Sequence, residues 1–520
     1  MAIKKGPASI TSQVSIDGIA VGQGAGDVAT NTAYGVSVLS TNTTGASNTA
    51  VGYQALQLNT IGGTNVAVGS TALRQNTTGA RNVAVGNAAL NANIVGTDNT
   101  AIGWLALTTS TSSQNTAIGA RAGNDLTTGT GNSFFGQAAG RYVTTNNFLT
   151  LIGQNAGSVV AGDHNTALGW NALTATTTGL QNVAVGSQSL VANTIASSNT
   201  AVGYATAYSN TTGQYNTALG HSSLYSNTTA SNNTALGYQA LNLNTTGGDN
   251  TAVGYNAGQN STTGSYHVFI GRGAGLSNTT GTQNVCVGGN AGYGITTGSY
   301  NTIVGTRNSA TSGAGQFIST GSSNTLIGGF DGNMGGLDIR TASNYIVLSD
   351  GAGNVEFTAK DGNSWALPGA TVQTGTGITF PATQSASSNA NTLDDYEEGT
   401  WTPSLARAST QPSITASYAG TYQKIGNVVT LWGSITVTAV ASQGSNVWII
   451  SGIPFNMGVR GSMGSASTLS VTSIGANSAI TGFGDANVAQ YMYLRNVDGT
   501  ITNQTIQAGS IYFQVTYVVA

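Results

Sequence analysis

Asn48 to Gly52 reads NTAVG, and the phrase returns as NVAVG at Asn65 to Gly69, NVAVG at Asn82 to Gly86 and NTAIG at Asn99 to Gly103. It continues with small changes to NTIVG at Asn301 to Gly305. Seventeen closing glycines run from Gly35 to Gly305; fourteen of the sixteen steps between them are 17 residues and two are 16. A fixed period this short predicts a solenoid, in which each repeat is one coil stacked on the next. It also argues against an enzyme, because nearly identical coils offer no single unlike place for a catalytic site.

The columns of the repeat describe one coil. The residue before the anchor glycine is large and apolar (Val51, Val68, Ile102, Ile118, Phe135, Leu168), and the residue two before it is small or apolar (Ala50, Ala67, Ala84, Phe134, Leu151, Phe269, Cys286). Adjacent strand residues point to opposite faces. The strand is therefore apolar on both, which predicts an outer cover, and the simplest cover is another copy of the chain. On that reading Ala67 and Ala84 pack between chains. After the glycine comes a second segment, such as YQAL at Tyr53 to Leu56, read as a second strand. Its fourth position is Leu (Leu56, Leu73, Leu90, Leu173) or Gly (Gly123, Gly140, Gly157, Gly258, Gly275, Gly292), and the Gly version predicts a locally narrowed coil. Turns such as NTTG at Asn76 to Gly79 close each coil. No proline stands between Pro7 and Pro368, as an unbroken parallel ladder requires.

Charged residues are only 6% of the chain and the net charge is −3, so no basic surface for nucleic acid is expected. Met1 to Gln13 does not read as a secretory signal, and no stretch approaches the roughly 20 apolar residues of a membrane span. Cys286 is the one cysteine, read as a buried apolar residue. His164, His221 and His267 lie in different coils. A P-loop, a nucleophile elbow and a triad spacing are lacking, so no catalytic residue, cofactor or metal site is expected.

The period ends after Gly305, with NTLIG at Asn324 to Gly328 as a last coil. SDGAGNV at Ser349 to Val355 reads as a hairpin turn, and Ala382 to Thr392 as a linker. Asp394, Asp395, Glu397 and Glu398 then cluster; we read them as a solvated junction rather than a catalytic carboxylate pair. Beyond them the text is all-β. Val428, Thr430, Trp432, Ser434 and Thr436 alternate with Val429, Leu431, Gly433, Ile435 and Val437. Turn residues about every ten positions predict a sandwich or jelly roll. Trp432, Trp448, Phe455, Tyr491 and Tyr493 could stack on sugars, although most are assigned to the core.

Two resemblances follow from these residues. The NTAVG phrases resemble the head repeats of trimeric autotransporter adhesins, which implies a trimeric parallel β-roll over Gly35 to Gly305. LDDYEEGTWTP at Leu393 to Pro403, with YAGTYQKIGNVVTLWGSITV at Tyr418 to Val437, resembles the start of the distal domain of bacteriophage tail fibres. The combined expectation is an all-β homotrimer: a β-roll or β-solenoid of 17-residue coils followed by a C-terminal antiparallel β-sandwich. Residues 1–40 would attach to a virion tail, baseplate or capsid protein, 41–330 would form the shaft, 331–392 a transition and linker, and 393–520 the tip. The implied function is a virion fibre whose tip adheres to a bacterial surface glycan or outer-membrane protein, with no membrane insertion. The alternatives are a bacterial trimeric surface adhesin and a glycan-cleaving tail spike. Polar, Gly-rich loops at Ala439 to Asn446, Asn456 to Ser467 and Gly482 to Ala489 are the expected contacts, with Trp448, Asn456, Arg460 and Tyr491 as candidate receptor-binding residues.

Overall fold

The computed structural model describes residues 14–16, 19–26, 28–306, 313–361, 364–367, 377–379, 396–407, 413–425, 428–442, 448–451, 491–493 and 509–518. It divides into two compact units, 1–365 and 366–520, each all-β and without helices among the described residues.

The first unit is a β-solenoid of eighteen coils, one short strand per coil, from Thr32–Gly35 to Thr325–Ile327. The strands pair in parallel without a slip of register, so that Ala50 faces Ala67, Ala67 faces Ala84, and so on to Ile303 and Leu326. At about 4.8 Å per coil the sheet runs on the order of 85 Å. Its ends differ from its middle. Ile19–Gly22 adds antiparallel to Thr32–Gly35, and Val14–Ile16 adds antiparallel to Ile19–Gly22. At the other end Tyr345–Ser349 continues in parallel, then turns through Ser349 to Val355 into an antiparallel partner, Val355–Lys360. At both ends the stack thus passes from parallel to antiparallel pairing.

Inside each strand the middle residue is buried and its two neighbours are partly exposed. Ala67 and Ala84 are fully buried within their own coil, which corrects the expectation that they pack between chains. The outer face belongs to the Thr49 and Val51 columns. Its aliphatic column stays open to solvent: Leu168 is 43% exposed, Leu219 48% and Ile327 51%.

The segment after the glycine is not a strand, a second correction. Its φ angles alternate in sign, positive at Gln54 (55°) and Leu56 (49°), and the pattern repeats at Thr71 and Leu73 and at Ala88 and Leu90. The backbone still hydrogen-bonds along the stack. Gln54 N–H donates to the Val36 carbonyl of the preceding coil and Leu56 N–H to the Ala72 carbonyl of the following one. The positive-φ residues of this corner thus bond to the coils on both sides, while the amide between them, as at Ala55, donates to the anchor glycine of its own coil.

That corner explains why its fourth position accepts Leu or Gly. Where the strand centre is Ala, as at Ala50, Ala67 and Ala84, the corner is Leu56, Leu73 or Leu90, buried in the coil. Where the strand centre is Phe134, the corners of its own and the preceding coil are Gly140 and Gly123. A Cβ at Gly123 would lie 2.7 Å from the Phe134 ring, one at Gly258 2.6 Å from Phe269, and one at Gly157 2.6 Å from Leu151. The large strand residue fills the space the glycine vacates, keeping the interior close-packed. A third column joins the exchange. Three residues past a Leu corner usually stands Asn, as at Asn59, Asn76 and Asn193, with Ser110 and Thr176 as exceptions; past a Gly corner it is usually aliphatic, as at Leu126, Val143, Val160, Ile295 and Ile318.

Two buried asparagine ladders complete the interior. In the first, Asn48 N–H donates to Asn31 Oδ1 (2.8 Å), Asn48 Nδ2 donates to the Gly62 carbonyl (2.9 Å), and Asn48 Oδ1 accepts from Asn65 N–H (3.0 Å). Each Asn therefore ties three coils. In the second, Asn59 Nδ2 donates to Asn42 Oδ1 (2.8 Å) and to the Gly62 carbonyl (2.9 Å). This ladder is interrupted, and the interruptions leave acceptors unused. Asn93 Oδ1, Asn244 Oδ1 and Asn278 Oδ1 are buried without a partner, and the next positions of the column are Ser110, Ser261 and Ile295. Both 16-residue coils, which close at Ser110 and Val160, lack Asn in this column and omit their residue from the turn, so the strand register is kept.

The second unit holds two antiparallel sheets. One has four strands, Tyr396–Trp401, Ser413–Ile425, Val428–Ser442 and Gly509–Val518, in that order. The other has three, Ser404–Arg407, Trp448–Ser451 and Tyr491–Tyr493. Val429, Leu431, Ile435 and Val437 are buried, as are Trp401, Leu405 and Ile450. Two glycines make room for aromatic rings in this layer: a Cβ at Gly420 would meet the Trp401 indole at 2.5 Å, and one at Gly399 the Tyr422 ring at 2.5 Å.

Candidate functional site

The sequence-predicted contact residues are only partly placed. Trp448 stands opposite Arg407, and Tyr491 opposite Ser451, in the three-stranded sheet. Three residues along one strand, about 10 Å, separate the two positions, so the sheet does not bring them to one point. Asn456 and Arg460 lie outside the described residues, as do the loops Asn456 to Ser467 and Gly482 to Ala489. Of the loop expected at Ala439 to Asn446, residues 439–442 belong to a strand and the rest lie outside the described residues. Asp394 and Asp395 also lie outside them. Glu397 and Glu398 are not in a junction but in the strand Tyr396–Trp401. Among the described residues no three His, Cys, Asp or Glu side chains gather where a metal ion could be held, and no helix is long and apolar enough to cross a membrane.

Two surfaces carry chemistry. The first is the outer stripe of the solenoid, made by the aliphatic column before the glycine and the column just after it. The latter holds Tyr53, Trp104, Trp170, Tyr204, Tyr238 and Tyr255, all exposed. Because coils repeat in register, equivalent rings stack: Tyr204 on His221 at 5.1 Å, His221 on Tyr238 at 5.3 Å and Tyr238 on Tyr255 at 5.1 Å between centroids. Arg121 sits 4.6 Å above the Trp104 ring, a cation–π contact that spares the guanidinium a carboxylate partner. The aliphatic column is apolar at every coil, while the column after the glycine alternates these rings with polar residues such as Ser70, Asn87, Gln137, Gln154, Ser187 and Arg272.

The second is a cleft of about 460 Å³ in the C-terminal unit, lined by Glu398, Gly399, Thr421, Tyr422, Gln423 and Trp432. Trp432 is 38% exposed, although alternation along Val428–Ser442 buries its neighbour Leu431. The sequence reading missed this cleft. Its signal was present in the alternation itself, which puts Trp432 on the side of Thr430, Ser434 and Thr436 rather than with the aliphatic residues.

One titratable group lies inside the shaft. His267 occupies an asparagine position of the first ladder and is buried. Its N–H donates to Asn250 Oδ1 (2.9 Å), and its Nδ1 accepts from Asn284 N–H (3.1 Å), as an Asn oxygen would. The ring stacks on Phe269 at 4.5 Å. Burial lowers its pKa from 6.5 to about 4, against the opposing effect of hydrogen bonds at Gly281 and Asn284. Burial likewise pushes the Cys286 thiol up, out of the reactive range.

No known family, characterised protein or solved structure was found to match this chain.

Proposed function

We propose that this chain is the structural fibre of a bacteriophage particle, a homotrimer whose solenoid is the shaft and whose C-terminal unit is the receptor-binding tip. In this reading the two antiparallel sheets pack as a sandwich, the N-terminal end attaches to the particle, and the outer stripes of three chains cover one another. The observation that carries it is the apolar column before the glycine: one partly exposed apolar side chain per coil, repeated in register along eighteen coils and joined to a separate unit that does not repeat. A surface with this period is matched in spacing by another copy of itself. Covering it removes exposed apolar area from water at about 25 cal/mol per Å². No catalytic role is assigned.

Two measurements test the reading. Sedimentation of the full chain should give a trimer, and Leu168→Asp with Leu219→Asp should give a monomer whose circular dichroism is unchanged, since both side chains lie outside the coil. A wild-type monomer sinks the assembly. Electron microscopy of particles labelled with antibody to this chain should place the label on a fibre, and the soluble chain should compete with the particle for host cells. Label on no particle structure sinks the function.

A further inference from the structure

Val428–Ser442 is an inner strand of the four-stranded sheet, bonded to Ser413–Ile425 on one side and Gly509–Val518 on the other. Register places Thr421 and Gln514 directly beside Trp432, with Thr400 beyond Thr421. Gln423 stands between Glu398 and Thr430 on the neighbouring rows. One large indole therefore lies in a frame of hydroxyls, amides and a carboxylate, at the wall of the cleft. The next exposed apolar side chain on its strand is Val428, four residues and about 13 Å away. The aliphatic residues of the strand that pack the unit face the opposite way.

We propose that this cleft binds a neutral saccharide. The apolar face of a pyranose ring would lie on the Trp432 indole, and Thr421, Gln423 and Glu398 would bond its hydroxyl groups. A flat aromatic ring suits the C–H face of a sugar, while the side-chain oxygens and amides around it suit the hydroxyl rim. A docked protein copy is the poorer fit, because a protein interface is built around a contiguous apolar centre, and among the described residues Trp432 is set apart on this face from the exposed pair Val428 and Ile425. The Glu398 carboxylate repels uronic and sialic acids, which makes the ligand neutral. The proposal rests on the reading of the C-terminal unit as the recognition tip.

The test uses the full chain. It is titrated calorimetrically with chitotetraose and maltotetraose as neutral probes and with oligogalacturonate as the acidic one, after a glycan array has ranked neutral structures. Saturable binding of a neutral glycan is expected. Trp432→Ala should weaken it about tenfold or more, and Trp432→Phe, which keeps a stacking face, by only a few-fold. Glu398→Gln should raise the affinity for oligogalacturonate. Thr421→Arg fills the cleft with Trp432 still present, so it should also abolish binding and covers the case in which Trp432→Ala does not fold. Failure of every neutral glycan to bind, equal binding by Trp432→Ala, or a change of oligomeric mass in Trp432→Ala without loss of glycan binding would each overturn the proposal. The fibre reading fails separately. If the chain competes with particles and Trp432→Ala competes as well, the fibre stands and this cleft falls; if glycans bind at Trp432 but the chain never competes, the reverse holds.

Discussion

The coil of Ala50 and the coil of Phe269 fill their interiors by opposite means. The first puts a small residue on the strand, Leu56 at the corner and Asn59 at the turn; the second puts a large ring on the strand with Gly275 at the corner. Strand register is identical in both, Ala50 on Ala67 and Phe269 on Cys286. The backbone thus sets the shape, and the side chains need only fill it in one of two combinations. A corner at positive φ accepts either residue: Leu56 sits at 49° and Gly275 at 60°.

The comparison breaks most sharply where the two combinations are mixed. Phe269→Ala should leave a cavity costing about 3–5 kcal/mol. Gly275→Leu would drive a side chain into the Phe269 ring and cost about 1–3 kcal/mol or more. Together they rebuild the Ala–Leu coil, so the double variant should be more stable than the sum of the two losses predicts by about 2 kcal/mol. Denaturant midpoints of the four chains give the cycle. Additive losses would mean that the columns do not exchange volume.

The next effect is set by pH. His267 replaces a ladder Asn whose oxygen is always an acceptor, and its Nδ1 must stay unprotonated to receive Asn284 N–H. The folded chain holds the neutral ring down to about 4, whereas the unfolded chain protonates it near 6.5. The unfolded state therefore binds the extra proton first as pH falls. This stabilisation is complete above 6.5, is lost progressively between 6.5 and about 4, and amounts to about 3 kcal/mol. His267→Asn should remove this part of the acid dependence. An unchanged slope of stability between pH 6.5 and 4 in that variant would show that His267 is not the group responsible.

A smaller loss is expected from an ordinary rung. Asn216 takes the same three roles as Asn48, through Asn199 Oδ1, the Ala230 carbonyl and Asn233 N–H. Asn216→Ala should cost about 1–2 kcal/mol by stranding the buried Asn233 N–H, while the Ala230 carbonyl keeps its bond from Asn227 Nδ2. A chemical melt within error of wild type would mean that water enters the coil and replaces the amide.

How much of this was legible in the text follows from what repeats. The period, the strand and the buried Ala column are visible because seventeen glycines mark them. The second segment misled because Gln54, Ala55 and Leu56 carry no turn signal, and Gln and Leu rarely take positive φ. Bonds from Gln54 and Leu56 to the coils on both sides hold the segment there. The face of the strand that points inward was also ambiguous, since Ala67 and Val68 are both apolar; burial separates them. His267 as a ladder member was readable by counting 17 from Asn250, but its residue type concealed the role. In the C-terminal unit nothing repeats, so no column averages out a misreading. The loops chosen there fall mostly outside the described residues, and the cleft that is described depends on strand pairings between Glu398 and Gln423 and between Thr421 and Trp432 that no local pattern announces.

The gentlest probe asks whether the two kinds of coil are interchangeable at the turn. Asn244 Oδ1 is buried without a partner because Ser261 follows it where Asn227 is followed by Asn244, whose Nδ2 donates at 3.1 Å. Ser261→Asn would supply the missing donor and a longer acceptor for Asn278, which now reaches Ser261 Oγ at 3.3 Å. A buried acceptor that gains its hydrogen bond contributes about 1 kcal/mol. The coil around it is of the glycine type, with Gly258 beside the Phe269 ring, so the added atoms compete for space the ring already uses. If hydrogen bonding decides, the unfolding midpoint rises slightly. If it falls, serine was selected by volume, and the exchange between strand, corner and turn extends through all three columns.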